Sequence, residues 1–283
     1  MVNIVGKIAG FFGLMRLFNC IIAAVTIPVI VFALTGVTGV ASADVFIGTI
    51  VVFMVCGAGN ALNDYFDVRA DRVNKPNRPI PSRTISRNEA LVFAAVLFLS
   101  AVFLSTIVSK SGFAFVVILS SALLVIYDAY SKKAGVVGNV TVSFLVAMVV
   151  VSGGIIAGSI MLSLYVALPV FLINLSRELV KSVEDMKGDS KLAKNTFPLK
   201  HGIEKTSRFA SGFAAAGSIF LLNLYAHFGM IFLVLLLPAL WKFSSAMLMR
   251  DKVTLAKASK ISKDLKMGSV LVLVALIVAS LLK

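Results

Sequence analysis

Residues 45–71 read VFIGTIVVFMVCGAGNALNDYFDVRAD. Most of this stretch is an apolar run of the length that crosses roughly 30 Å of hydrocarbon as a helix. It ends in Asn60, Asn63, Asp64, Asp67 and Asp71, so a membrane helix leaves the bilayer carrying a column of polar side chains. Asn63, Asp67 and Asp71 are spaced i, i+4, i+8 and share one face if the helix continues. Like charges at that spacing destabilise a bare helix, and carboxylates at membrane depth are expensive. The column therefore predicts a counter-charge, and a hard divalent cation with oxygen ligands is the natural one.

Working outward, the rest of the chain repeats the apolar theme. Hydrophobic residues make up 59% of the 283 and charged residues 14%, with a mean hydropathy of +0.99. A soluble fold of this size has no interior large enough for so much apolar surface, so the bilayer takes it. Apolar stretches of spanning length centre near Thr26, Val55, Leu99, Leu119, Val149, Val170, Phe213, Leu235 and Leu273. Pro28, Pro169 and Pro238 fall inside them, where kinked membrane helices tolerate proline. The break at Gly229–Met230, between the seventh and eighth stretches, is the weakest boundary. The stretch around Leu17 to Leu34 is too long for a signal-peptide core and reads as the first span. The fold class predicted is an all-α, multi-pass bundle of about nine transmembrane helices, forming one domain over residues 1–283. Cys20 and Cys56 lie in apolar runs and read as small packing residues.

The net charge of +14 raises the question of nucleic acid, but the cations sit in the connections between apolar runs with no continuous basic face. No nucleic-acid partner is expected. With nine spans and the N-terminus inside, all but Lys110 and Lys283 of the 27 Lys and Arg residues fall on one side. That positive-inside bias predicts a cell-membrane protein with its N-terminus and its chemistry on the cytosolic side and its C-terminus outside. The basic segment from Arg250 to Lys266 also lies on that side, where membrane lipids carry anionic headgroups.

The sixth apolar stretch ends like the second: Arg177-Glu178, then Lys181, Ser182, Glu184-Asp185, Gly188-Asp189. The two Asp pairs stand 118 residues apart, 67 to 185 and 71 to 189, and four spans separate them. An even number of spans puts both on the same side of the membrane. Each pair precedes a basic stretch holding Asn, Pro and an aliphatic residue: Asn77-Arg78-Pro79-Ile80 and Asn195-Thr196-Phe197-Pro198-Leu199. The pattern is that of a degenerate internal repeat, its halves able to face each other across one site. Mg²⁺ binds through one or two carboxylates while keeping water and phosphate oxygens in its shell. Lys75, Arg78, Arg83, Lys132, Lys181 and Lys187 are the candidates to neutralise what the metal leaves of a phosphate's charge.

These motifs resemble those of the UbiA superfamily of intramembrane prenyltransferases. Asn63-Asp64-x-x-Asp67-x-x-x-Asp71 is similar to its first signature, Asp185-x-x-x-Asp189 to its second, and Arg78-Pro79 to the pair that follows the first. The resemblance implies that Asn63, Asp64, Asp67, Asp71, Asp185 and Asp189 form the catalytic set. All of these but Asp64 would hold Mg²⁺. It further implies that Arg72, Lys75, Arg78, Arg83, Tyr127, Lys132, Lys181 and Lys187 bind a prenyl diphosphate. Asn77 to Ser82, Lys132-Lys133 to Gly138-Asn139, and Arg177-Glu178 to Asp189 resemble the branch that makes the second ether bond of archaeal membrane lipids. That branch implies geranylgeranyl diphosphate as donor and geranylgeranylglyceryl phosphate as acceptor. Lys7, Arg16, Lys200 and Lys205 are the candidates for the acceptor's own phosphate. Two positions depart from the pattern: Ser182 stands where an acid is usual, and four residues rather than three separate Tyr127 from Lys132. Asp128, beside Tyr127, is either an accessory acid or an interfacial charge.

Two other classes compete. A family member with an aromatic acceptor, such as a quinone or chlorophyll precursor, shares the Asn77–Ser82 pattern. A transporter also carries intramembrane acids and repeats, but here the acids cluster at span ends on one face, away from the midplane.

Overall fold

The computed structural model describes residues 4–130, 135–191, 195–249 and 253–282. In chain order the described residues form α1 (Ile4–Met15), α2 (Leu17–Thr35), α3 (Val37–Val40), α4 (Ala43–Phe66), α5 (Val68–Asn74), α6 (Arg87–Ser105) and α7 (Ser111–Ala129). They continue as α8 (Val136–Ile156), α9 (Ile160–Glu184), α10 (Met186–Lys191), α11 (Phe197–Asn223), α12 (Tyr225–Phe228), α13 (Met230–Met247) and α14 (Leu255–Leu281). No strand occurs among the described residues. Among the described residues nine helices are long and apolar enough to span a membrane: α2, α4, α6, α7, α8, α9, α11 with its extension α12, α13 and α14. Each of the nine predicted centres falls within one of them, and the three prolines lie inside α2, α9 and α13.

Local sequence sets the ends. Ser42 caps α4 by accepting from the Val45 amide at 3.3 Å. Ser86 and Glu89 form a reciprocal capping box at the start of α6, with bonds of 3.2 and 2.8 Å. Thr254 caps α14 in the same way as Ser42 caps α4. Gly229 separates α12 from α13 with φ at 84°, a left-handed turn that glycine takes without a Cβ clash.

The chain divides into two compact units. One comprises residues 1–28 and 42–131, the other residues 29–41 and 132–283. In the first, α4 is the central helix and packs against α1, α6 and α7. In the second, α9 is central and packs against α8, α11 and α14. Small residues permit the close contacts: a Cβ on Gly59 would lie 3.1 Å from Leu124, and one on Gly217 3.2 Å from the Pro169 carbonyl. The two helices that end in Asp motifs are thus the centres of their units.

Candidate active site

In the first unit the motif is organised around one buried carboxylate. Asp64 is only 2% exposed, near the end of α4. It accepts from Arg16 Nη2 at 2.5 Å and from Arg78 Nη1 at 3.0 Å. The same Arg78 nitrogen reaches Asp71 Oδ2 at 2.6 Å, so one guanidinium ties together two acids seven residues apart. Asn63 accepts from Arg16 at 3.3 Å and donates to Asp128 Oδ1, on α7, at 3.2 Å. Asp128 is itself buried and belongs to this network.

The helix column expected from sequence forms, with a slight break. α4 ends at Asp67, whose ψ of 8° leaves the helical range, and α5 begins at once. The i to i+4 backbone bonds run through the break: Asp67 to Asn63 at 2.9 Å, Asp71 to Asp67 at 2.8 Å and Lys75 to Asp71 at 2.8 Å. Asp64 and Asp71 occupy the buried side of the column, and Asp67 is half-buried.

Each arginine is aimed by a local device. Arg16 stands at the break between α1 and α2 with φ at 54°, a conformation that costs a non-glycine residue about 1 kcal/mol or more. The break frees the Met15 carbonyl, which accepts from Asn60 Nδ2 at 2.8 Å, while Asn60 Oδ1 accepts from Arg16 Nη1 at 3.2 Å. One asparagine therefore satisfies the broken backbone and aligns the guanidinium. Arg78 lies in a series of turns in which Pro76, Pro79 and Pro81 prevent helix formation. Ile80 and Ile85 anchor those turns in a core with Leu14, Ala61, Leu62, Ala90 and Ala94.

Helix α1 leaves room for this anchor. A Cβ on Gly10 would come within 2.8 Å of Ile85, and one on Gly13 within 3.1 Å of Pro79. Gly10→Val is accordingly expected to push the turns outward, costing about 1–3 kcal/mol of stability. Thermal unfolding in detergent checks the stability. Activity should fall as well, because Arg78 rides on the displaced segment; an unchanged rate would show that the turns need not be held.

The second unit repeats the helix end. α9 stops at Asp185, α10 follows, and the backbone bonds again pass through: Asp185 to Lys181 at 2.9 Å and Asp189 to Asp185 at 3.0 Å. Asp185 is exposed and Asp189 half-buried. The 118-residue offset places Ser182 where Asp64 stands in the first unit. Ser182 donates to Asn139 Oδ1 of α8 at 3.3 Å and to the Glu178 carbonyl at 2.9 Å. The serine thus serves a helix contact where its counterpart draws in two arginines.

Of the other residues expected to bind substrate, Arg72, Lys75, Arg83 and Lys187 are exposed, whereas Tyr127 and Lys181 are half-buried. Lys132 lies outside the described residues. The four cations weighed for the acceptor phosphate stand in different surroundings. Arg16 belongs to the first motif, Lys7 pairs with Glu89, and Lys200 and Lys205 are exposed. Sequence reasoning weighed Arg16 for the acceptor phosphate and gave Asn60 no role of its own; that the two meet at the first motif is what it missed, and a lone arginine between two apolar stretches was the available signal.

The site fits a hard cation. Among the described residues no three His, Cys, Asp or Glu side chains form a cage of their own. Mg²⁺ needs only one or two carboxylates, with water and phosphate oxygens completing its octahedron. Asp67 and Asp185, each at the point where a membrane helix ends, supply that kind of oxygen donor.

A column of carboxylates ending the central helix in each of two all-helical, membrane-spanning units defines an intramembrane prenyltransferase architecture. Residues 25–279 match the model of the UbiA prenyltransferase family, and the chain belongs to that family. The match runs through both units. A digeranylgeranylglyceryl phosphate synthase of Methanothermobacter thermautotrophicus is 35% identical over 274 residues, covering 93% of this chain and 92% of that one. The enzyme of the same name from Methanococcus maripaludis is 34% identical over 282 residues, covering 98% and 99%. A solved structure of a digeranylgeranylglyceryl phosphate synthase superposes with a TM-score of 0.80 at 30% identity, covering 98% of this chain and 99% of that one. A UbiA homologue from Archaeoglobus fulgidus, solved with DMAPP and Mg²⁺, shares the fold with a TM-score of 0.67 at 15% identity, covering 93% and 99%.

Proposed function

We propose that the protein transfers a geranylgeranyl group from geranylgeranyl diphosphate to the free hydroxyl of geranylgeranylglyceryl phosphate, forming the second ether bond of an archaeal lipid. The observation that carries this reading is the Arg16–Asp64–Arg78–Asp71 network, placed where a membrane helix ends, in a chain that is similar from end to end to synthases of that name. The whole of residues 1–283 acts as one catalytic domain on this reading, with the N-terminus and both motifs cytosolic and the C-terminus outside. The one-sided distribution of Lys and Arg supports that orientation.

In the reaction the bond from C1 of the prenyl chain to the diphosphate oxygen breaks, its electron pair leaving with diphosphate. The acceptor oxygen then bonds C1 and loses its proton, so the products are an ether, diphosphate and a proton. Mg²⁺, when bound, neutralises charge building on the diphosphate oxygens. Asn63, Asp67, Asp71, Asp185 and Asp189 are the proposed ligands. Arg78 spends only Nη1 on Asp64 and Asp71, which leaves Nε and Nη2 without a hydrogen-bond partner among the described residues. Those donors are the ones offered to diphosphate. Arg72, Lys75, Arg83, Tyr127, Lys132, Lys181 and Lys187 are the proposed further contacts. The apolar spans keep water from the allylic carbon, which would otherwise be captured as an alcohol.

The test is a product assay with radiolabelled geranylgeranyl diphosphate and competing acceptors in the presence of Mg²⁺. Labelled ether lipid carrying two prenyl chains is the expected product. Transfer to an aromatic ring with none to geranylgeranylglyceryl phosphate would overturn the acceptor, and no release of diphosphate would overturn the enzyme.

A further inference from the structure

Asn174, Arg177, Glu178, Lys181, Ser182 and Asp185 recur at i, i+3, i+4, i+7, i+8 and i+11 from α9 to its C-cap, and so form one polar stripe. Diphosphate binding, as argued above, uses the lower end of this stripe. Its upper end has a composition of its own. Arg177 Nη1 donates to Glu178 Oε1 at 2.8 Å, but Arg177 Nε is buried and has no hydrogen-bond partner among the described residues. Asn139, on the facing helix α8, uses its Oδ1 to accept from Ser182, while its Nδ2 is likewise buried and without a partner among the described residues. Lys266 of α14 lies within electrostatic range of Arg177, so a second cation stands near this stretch. Both orphaned groups are donors. A buried donor with nothing to bond costs about 1–3 kcal/mol, and two like charges at membrane depth add to that cost. A ligand rich in acceptor oxygens and carrying negative charge relieves both.

The repeat sharpens the point. At the 118-residue offset, Arg177, Glu178 and Ser182 correspond to Gly59, Asn60 and Asp64 of the first unit. There Gly59 is packed against Leu124, Asn60 caps a broken backbone and Asp64 holds arginines. The two halves agree at the Asp pairs and diverge here, so this stretch of α9 answers to something that the metal–diphosphate chemistry common to both halves does not require.

We infer that Arg177, with Asn139 and Lys266, receives the phosphate monoester of the acceptor lipid. This rests on the reading that the acceptor is a glycerol phosphate. Arg177 is then a specificity residue: it distinguishes a phosphorylated acceptor from the corresponding alcohol, and has no part in ionising the donor.

The experiment compares the intact protein with its Arg177→Gln variant on two acceptors, geranylgeranylglyceryl phosphate and the dephosphorylated alcohol, at saturating geranylgeranyl diphosphate and Mg²⁺. The unaltered protein is expected to favour the phosphorylated acceptor strongly in kcat/KM. Arg177→Gln is expected to lower kcat/KM for that acceptor about 10–100-fold, the loss of a charge-assisted bond. It should leave the alcohol and the KM for the donor unchanged. An equal fall on both acceptors, or a rise confined to the donor KM, would overturn the assignment. Should the glutamine variant not accumulate folded, Asn139→Ala is read the same way and is expected to move the preference in the same direction by a smaller factor. If the unaltered protein used neither acceptor, the functional reading itself would fail and this inference with it.

Discussion

Replacing Arg78 by glutamine is expected to lower kcat/KM for prenyl transfer roughly 10²–10³-fold, the cost typical of removing one preorganised donor from developing negative charge. The same substitution is expected to destabilise the protein by about 3 kcal/mol, because it breaks an ion pair whose acids are already out of water. Asp64 and Asp71 have side chains only 3% and 7% exposed, and Arg78 Nη1 serves both. Asp64 keeps Arg16 when Arg78 is lost, whereas Asp71 loses its arginine altogether. Arg78→Lys separates the two effects. An ammonium on a flexible stem can still sit between the carboxylates, so thermal stability in detergent should largely return. It has no planar fork left to offer a phosphate, so transfer should stay low. Full activity in the lysine variant would show that charge alone suffices there and would remove the role given to Nε and Nη2.

The expectation that an acid column needs a counter-charge was readable in the sequence, and Arg78 stood among the candidate cations; that Arg16 would join it on Asp64 was not readable. Arg69 and Arg72 are the nearest in sequence to the first motif, yet Arg16 and Arg78 are the ones that reach Asp64. The reason is geometric. Arg69 and Arg72 ride on α5 itself, where the rotation of the helix fixes their direction, while Arg16 and Arg78 sit on segments that fold back onto α4. Such returns depend on Asn60 meeting the Met15 carbonyl and on Ile80 and Ile85 finding a core, contacts between residues far apart along the chain. The spans were legible because length and hydropathy are local properties, and so were the prolines inside them. The second half of the repeat was legible only in part. Asn195 to Leu199 mirrors Asn77 to Ile80 in composition, but Thr196 opens α11 directly, with Pro198 in its first turn. In the first unit three prolines within six residues hold the chain in turns instead.

Asp67→Ala and Asp185→Ala are each expected to abolish Mg²⁺-dependent transfer while leaving the protein folded, a pairing of outcomes that Arg78→Gln does not share. A cation on a departing diphosphate contributes several kcal/mol to the transition state, which corresponds to about 10³-fold in rate. Removing one of its carboxylates should therefore lower activity at saturating substrate, and added Mg²⁺ should restore part of it. The structural cost should be small. Asp67 and Asp185 stand at helix ends, one half-buried and one exposed, and neither is enclosed as Asp64 is. Substitutions of that kind usually change stability by no more than about 0.5 kcal/mol. The comparison also tests the repeat. If both motifs hold metal, the two variants should lose activity alike despite the serine that replaces the acid beside Lys181. Full activity in Asp185→Ala alone would confine the metal to the first unit and leave the second motif a relic of the duplication; full activity in Asp67→Ala would remove the metal site from the column on which the reading began.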